Sequence, residues 1–123
     1  MEQLVQQYFD AWNANSIEQL RPLLHDAVTL TDWEISESGL EAVISANQKI
    51  FDAVPGIHVT VHDMATSTNQ VMAQITVHVN EQEQLSVIDV LTISNDKITS
   101  TVSYTHLRAH ETRHDLVCRL LLE

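Results

Sequence analysis

Apolar side chains fall at every second position along most of the stretch from residue 57 to residue 101. Val71, Ala73, Ile75, Val77 and Val79 form one such row; Leu85, Val87, Asp89, Leu91 and Ile93 form another. Ile57, Val59 and Val61 alternate with His58, Thr60 and His62. A period of two sends alternate side chains to opposite faces of a strand, so this half of the chain must lay one apolar face against something else. The polar breaks at 67–69 and 80–83 and the Asn95-Asp96 pair read as turns. They predict antiparallel strands over 57–66, 71–79 and 85–93, with a last strand starting at 97.

The first 56 residues supply the covering layer in a different period. Leu4, Val5, Tyr8, Phe9, Ala11 and Trp12 recur at helical spacing and predict a helix over 2–14. Ser16 caps a second helix carrying Ile17, Leu20, Leu23 and Leu24, which Pro22 keeps short or kinked. Residues 27–33 alternate again, with Val28, Leu30 and Asp32 on one face. Gly39 precedes a third helix through Leu40, Val43, Ile44, Asn47, Ile50 and Phe51, and Pro55-Gly56 ends it. The expected fold is α+β: three N-terminal helices packed on a curved antiparallel sheet. A curled sheet closed by helices leaves a cone-shaped hollow at its open end, where small ligands bind.

Charge narrows the partners. Six Lys and Arg against 17 Asp and Glu give a net charge of −11, which argues against nucleic acid and against an anionic membrane. No apolar run is long enough to span a bilayer, no signal peptide opens the chain, and a single cysteine, Cys118, makes no internal disulfide. The expected location is the cytoplasm.

The last 22 residues differ from the rest. Residues 1–101 hold three basic and fourteen acidic side chains, whereas residues 102–123 hold three of each. The tail also carries Cys118 and three of the seven histidines. VSYTHLRAHET and LVCRLLLE resemble the two constant ends of a transposase-type sequencing adapter translated in one open frame. Residues 102–123 are therefore expected to be non-native, and the domain to occupy 1–101 with a truncated last strand for which VSYTH stands in. The tail contains His110-Glu111-Thr112-Arg113-His114, an H-E-x-x-H pattern that on a helix would grip zinc. Coincidence in a foreign frame explains it better, and no metal or other cofactor is expected.

Three polar side chains interrupt apolar rows. Tyr8 lies on the Leu4/Val5/Trp12 face of the first helix, Asp32 continues the Val28/Leu30 face, and Asp89 stands mid-strand between Val87 and Leu91. A buried carboxyl group resists ionisation, and one that stays protonated can donate to a developing oxyanion, as a buried phenol can. A second, ionised carboxylate nearby could move a proton at carbon. Each also has a plainer reading: Tyr8 as core with its hydroxyl tied to backbone, Asp32 as a turn or cap residue, and Asp89 paired with a hydroxyl or a Trp N–H.

VQQYFDAWNANSIEQLRPLLHDAVTLTDWE and LSVIDVLTISNDKI resemble the opening and the penultimate hairpin of SnoaL-like, ketosteroid isomerase-like members of the nuclear transport factor 2 superfamily. The resemblance covers residues 1–101 and implies the cystatin-like cone. It also implies roles: Tyr8 and Asp89 as an oxyanion hole and Asp32 as the base. One departure stands out, because Trp33-Glu34 follows Asp32 where the family usually has a Pro-containing loop.

The expected function is a small-molecule pocket, with Trp12, Trp33, Phe51, Val87 and Leu91 as lining. If catalytic, it would run cofactor-free proton transfer of isomerase, lyase or cyclase type on a small apolar carbonyl compound. The alternatives are a ligand-binding module without turnover, or a dimerising module whose pocket is filled by Trp12, Trp33 and Phe51. Met64, Met72, Ile88 and Val90 are expected on the outer sheet face and suggest a homodimer through it. His58, His62 and His78 on that face lack a third ligand for a metal.

Overall fold

The computed structural model describes residues 1–105. The chain runs α1 (Glu2–Asn13), α2 (Ile17–Leu20), a 3-10 turn (Arg21–Leu23), β1 (Leu24–Thr31), β2 (Ser36–Ser38), α3 (Leu40–Ala53), β3 (His58–Thr66), β4 (Gln70–His78), β5 (Gln84–Ser94) and β6 (Lys97–Thr105). The six strands form one sheet in the order β2-β1-β6-β5-β4-β3. The H-E-x-x-H pattern and Cys118 lie outside the described residues.

Two features differ from expectation. α3 follows β1 and β2, so the helices are not all N-terminal. The sheet is mixed, because β1 runs parallel to β6 while the other pairs are antiparallel. Parallel pairing needs a long crossover, and here nearly the whole intervening chain provides it.

Local chemistry sets the element ends. The Ser16 hydroxyl accepts from the Gln19 N–H and caps α2. Pro22 sits in the tightened turn that follows. Asn95 and Asp96 both adopt left-handed backbone (φ 51° and 62°), which matches the twist of the β5–β6 hairpin. Gly39, before α3, has φ 95°, a conformation that side-chain-bearing residues rarely adopt.

α1 is locked to the edge strand by two asparagines. Asn13 donates to the Val59 carbonyl and accepts from the Val59 N–H, as a neighbouring strand would. Asn15 donates to the Trp12 and Ile57 carbonyls and accepts from the Gly56 N–H. The core lies between α1, α3 and the concave face of the sheet. Phe9, Leu20, Val28, Val43, Val71, Leu91 and Ile98 are among its most completely buried side chains. Burial of each such side chain is worth about 1.5–3 kcal/mol.

β3 breaks its own alternation. The register shifts between Val61 and Asp63, and beyond the bulge Asp63 faces outward opposite Gln74 while Met64 falls opposite Ala73 and packs on the core. Met64 therefore leaves the outer face on which simple alternation put it. β6 runs past residue 101: Val102 pairs with Thr31 and Thr105 with Val87. Among the described residues no helix is long and apolar enough to cross a membrane, and no group of three or more His, Cys, Asp or Glu side chains could hold a metal ion.

Candidate functional site

A cavity of about 70 Å³ opens between α1, α3 and the concave sheet face. Tyr8 and Trp12 reach it from α1, Asn47 and Ile50 from α3, Val87 and Asp89 from β5, and Ser103 from β6. Trp33 closes one side from the loop after β1 and remains 44% exposed.

Tyr8 is buried, with its ring edge-on to Phe9. Among the described residues no hydrogen bond ties its hydroxyl, and the side chain lines the cavity. Burial raises the phenol well above its ordinary range, and the nearby negative charge of Asp89 raises it further. Tyr8 is thus a neutral donor throughout the physiological range.

Asp89 is also buried. Burial pushes its carboxyl up to about 6; the Ser103 hydroxyl, which donates to Oδ1, pulls it down, and the charge of Asp32 pushes it up. The plainer reading of Asp89, a partner for a hydroxyl, is therefore present, and it coexists with a place on the cavity wall.

Asp32 does not line the cavity. β1 ends at Thr31, and Asp32 opens the following loop. Its Oδ1 accepts from the backbone N–H groups of Glu34 (2.7 Å) and Ile35 (2.6 Å), and its own N–H donates to the Ile35 carbonyl. This is an Asx turn, a common use of Asp at a loop start. Alternation alone continued the strand one residue too far.

The expected lining divides in the same way. Trp12, Trp33 and Val87 border the cavity, whereas Phe51 and Leu91 do not. Phe51 packs edge-on against Trp12, and Leu91 is wholly buried in the core. A strand period tells which face a residue takes but not how far along the sheet the hollow extends. Asn47 and Ser103 were not anticipated as site residues. Asn47, on the apolar stripe of α3, accepts from Trp12 Nε1 (3.0 Å) and donates to the Val43 carbonyl, which fixes the Trp12 ring. Its signal is a polar residue in an apolar row; Ser103 offers none, as it lies in the stretch whose sequence is expected to be non-native.

The model of the SnoaL-like domain matches residues 5–101. The chain belongs to this SnoaL-like family. Solved structures agree on the SnoaL-like fold. An NTF2-like protein of unknown function from Cytophaga hutchinsonii superposes with a TM-score of 0.75 at 17% identity, covering 85% of this chain and 88% of that one. A SnoaL-like protein of unknown function from Burkholderia thailandensis gives a TM-score of 0.77 at 14% identity, covering 86% and 94%. A protein from Catenulispora acidiphila with a ketosteroid isomerase-like fold, solved with trimethylamine, gives 0.74 at 20% identity, covering 85% of each chain. No curated protein matches the chain.

Proposed function

We propose that this SnoaL-like domain binds a small carbonyl compound in the Tyr8–Asp89 cavity and moves a proton at the carbon beside the carbonyl. Asp89 takes the proton as the C–H bond breaks, and the bonding pair moves into the carbon–carbon bond while negative charge gathers on oxygen. Tyr8 donates its hydroxyl hydrogen bond to that oxygen. Asp89 then returns the proton, to the same carbon or to another. The observation that carries this reading is a buried carboxyl pushed up to about 6 that lines the same cavity as the Tyr8 phenol. A base is most effective when its pKa lies near the working pH. Asp32, tied into its turn, is a positioning residue in this reading and not the base.

The test is exchange of α-protons of small ketones into D2O, followed by proton NMR. The expected result is exchange that Asp89→Asn slows by about 100-fold or more, the usual contribution of a positioned base. Exchange equal in the variant and the wild type would contradict it.

A second reading is a binding module without turnover, for a ligand small enough to enter a cavity of about 70 Å³. Binding without any exchange would select it.

Self-association fits the opposite sheet face. Met72, Ile88, Val90, Val102 and Tyr104 point outward there, and Gln74, Thr76, Ser86, Thr92 and Ser100 surround them without charge. On a chain of net charge −11 this neutral patch is where a second copy meets the least repulsion. Val90→Lys is expected to turn a dimer into a monomer in sedimentation; a wild type that sediments as a monomer would contradict it.

A further inference from the structure

A second hollow, of about 580 Å³, lies outside α3, between the helix and the 35–37 segment. Its apolar lining is Ile35, Ala42, Ala46, Ile50, Ala53 and Val54. Among the described residues Ile50 is the one side chain that borders both hollows. The loop after β1 also touches both, with Trp33 on the inner cavity and Ile35 on the outer groove. We propose that the two hollows are halves of one binding site, gated by Ile50 and Trp33. Its ligand is an elongated molecule with a carbonyl or phenol head at Tyr8 and an apolar body along α3.

Neither hollow is sufficient alone. The inner one holds the acid and the phenol but has room for only a few heavy atoms. The outer one has the room, but its polar side chains, Glu37, Ser45 and Lys49, are all exposed and offer no enclosed chemistry. Together they reach the size of an ordinary ligand site. Ala42, Ala46 and Ala53 recur near helical spacing on one face of α3, and their small side chains leave the groove open. Glu34 and Ile35 are pinned by Asp32, so the backbone of the loop is held. Trp33 is 44% exposed, and among the described residues its indole N–H has no partner, so its side chain can swing without breaking that turn.

This inference rests on the proposed role of Tyr8, and the test separates the two. The probes are phenol, a head alone, and 4-hexylphenol, a head with an apolar body, titrated calorimetrically into the whole protein. 4-Hexylphenol is expected to bind at least about tenfold more tightly than phenol, given the transfer energy of buried methylenes. Ser45→Phe and Ala53→Phe, both at exposed positions of the groove, are expected to abolish that gain and leave phenol binding unchanged. Equal affinities for the two probes, or a gain that survives both groove variants, would overturn the shared site. Phenol binding that is indifferent to Tyr8→Phe would instead overturn the role of Tyr8, and the hexyl gain would still judge the groove. If neither probe binds, both fall.

Discussion

Ser103 of β6 stands opposite Asp89 of β5 and donates its hydroxyl hydrogen bond to the Asp89 carboxylate. A hydrogen bond to the charged form lowers the pKa of an acid, and here it opposes the rise caused by burial. Ser103 also lies two positions beyond the stretch matched by the SnoaL-like family. Removing the hydroxyl leaves burial unopposed. Ser103→Ala is expected to raise the Asp89 pKa above about 6, read as an upward shift of its carboxyl-carbon titration.

Asp89 makes stability depend on pH in the direction opposite to a salt-bridged carboxylate. Its folded pKa of about 6 lies above the ordinary aspartate value of 3.8, so the folded state holds its proton over a range where the unfolded state has lost it. The associated stability is fully present below the unfolded pKa and is lost as pH rises through about 6. The loss amounts to about 3 kcal/mol, at 1.36 kcal/mol per pKa unit. Asp89→Asn cannot titrate, so the difference in unfolding free energy between variant and wild type should grow by that order between pH 4 and pH 7. Urea melts at the two pH values measure it, and a constant difference would contradict it.

Asp32 offers a test by two substitutions. Asn keeps the oxygen that accepts from Glu34 and Ile35 but removes the charge; Ala removes both. With Asp32→Asn, the fluorine NMR signal of 5-fluoro-Trp33 should stay in place while the Asp89 pKa falls, because a charge that raised it has gone. With Asp32→Ala the Trp33 signal should move as well. Proton exchange should survive Asp32→Asn within about threefold, whereas loss of a true base costs about 100-fold or more.

Asn13 ties α1, and with it Tyr8 and Trp12, to the edge strand through both hydrogen bonds to Val59. Asn13→Ala leaves the Val59 N–H and carbonyl without these partners. The expected cost is about 1–3 kcal/mol in a denaturant melt, the usual penalty for unpaired polar groups in partly buried positions. A cost near zero would show that the contact holds nothing in place.

Much of this architecture was legible because the patterns are long. α1, α3 and the strands β4 and β5 each repeat their period over nine or more residues, and the structure keeps them. β2 was not legible: Ser36–Ser38 is three exposed polar residues, with no apolar row to reveal a strand. The parallel β1–β6 pair joins the two ends of the domain, and no local pattern encodes which distant strand is a neighbour. The bulge in β3 reversed the side taken by Met64, and an Asx turn took Asp32 out of its strand. At the site, Tyr8 and Asp89 were visible as polar interruptions of apolar rows. Phe51 and Leu91 were misplaced because a face is a periodic property, whereas the position of a cavity depends on tertiary packing.

The most direct measurement is a carbon-13 NMR titration of the Asp89 carboxyl in the wild-type protein, with Asp89→Asn to identify the signal. The expected midpoint is about 6, set by burial on the cavity wall. A midpoint near that of an unperturbed aspartate, about 3.9, would mean a solvated carboxylate and would contradict the acid–phenol site from which the proposed chemistry follows.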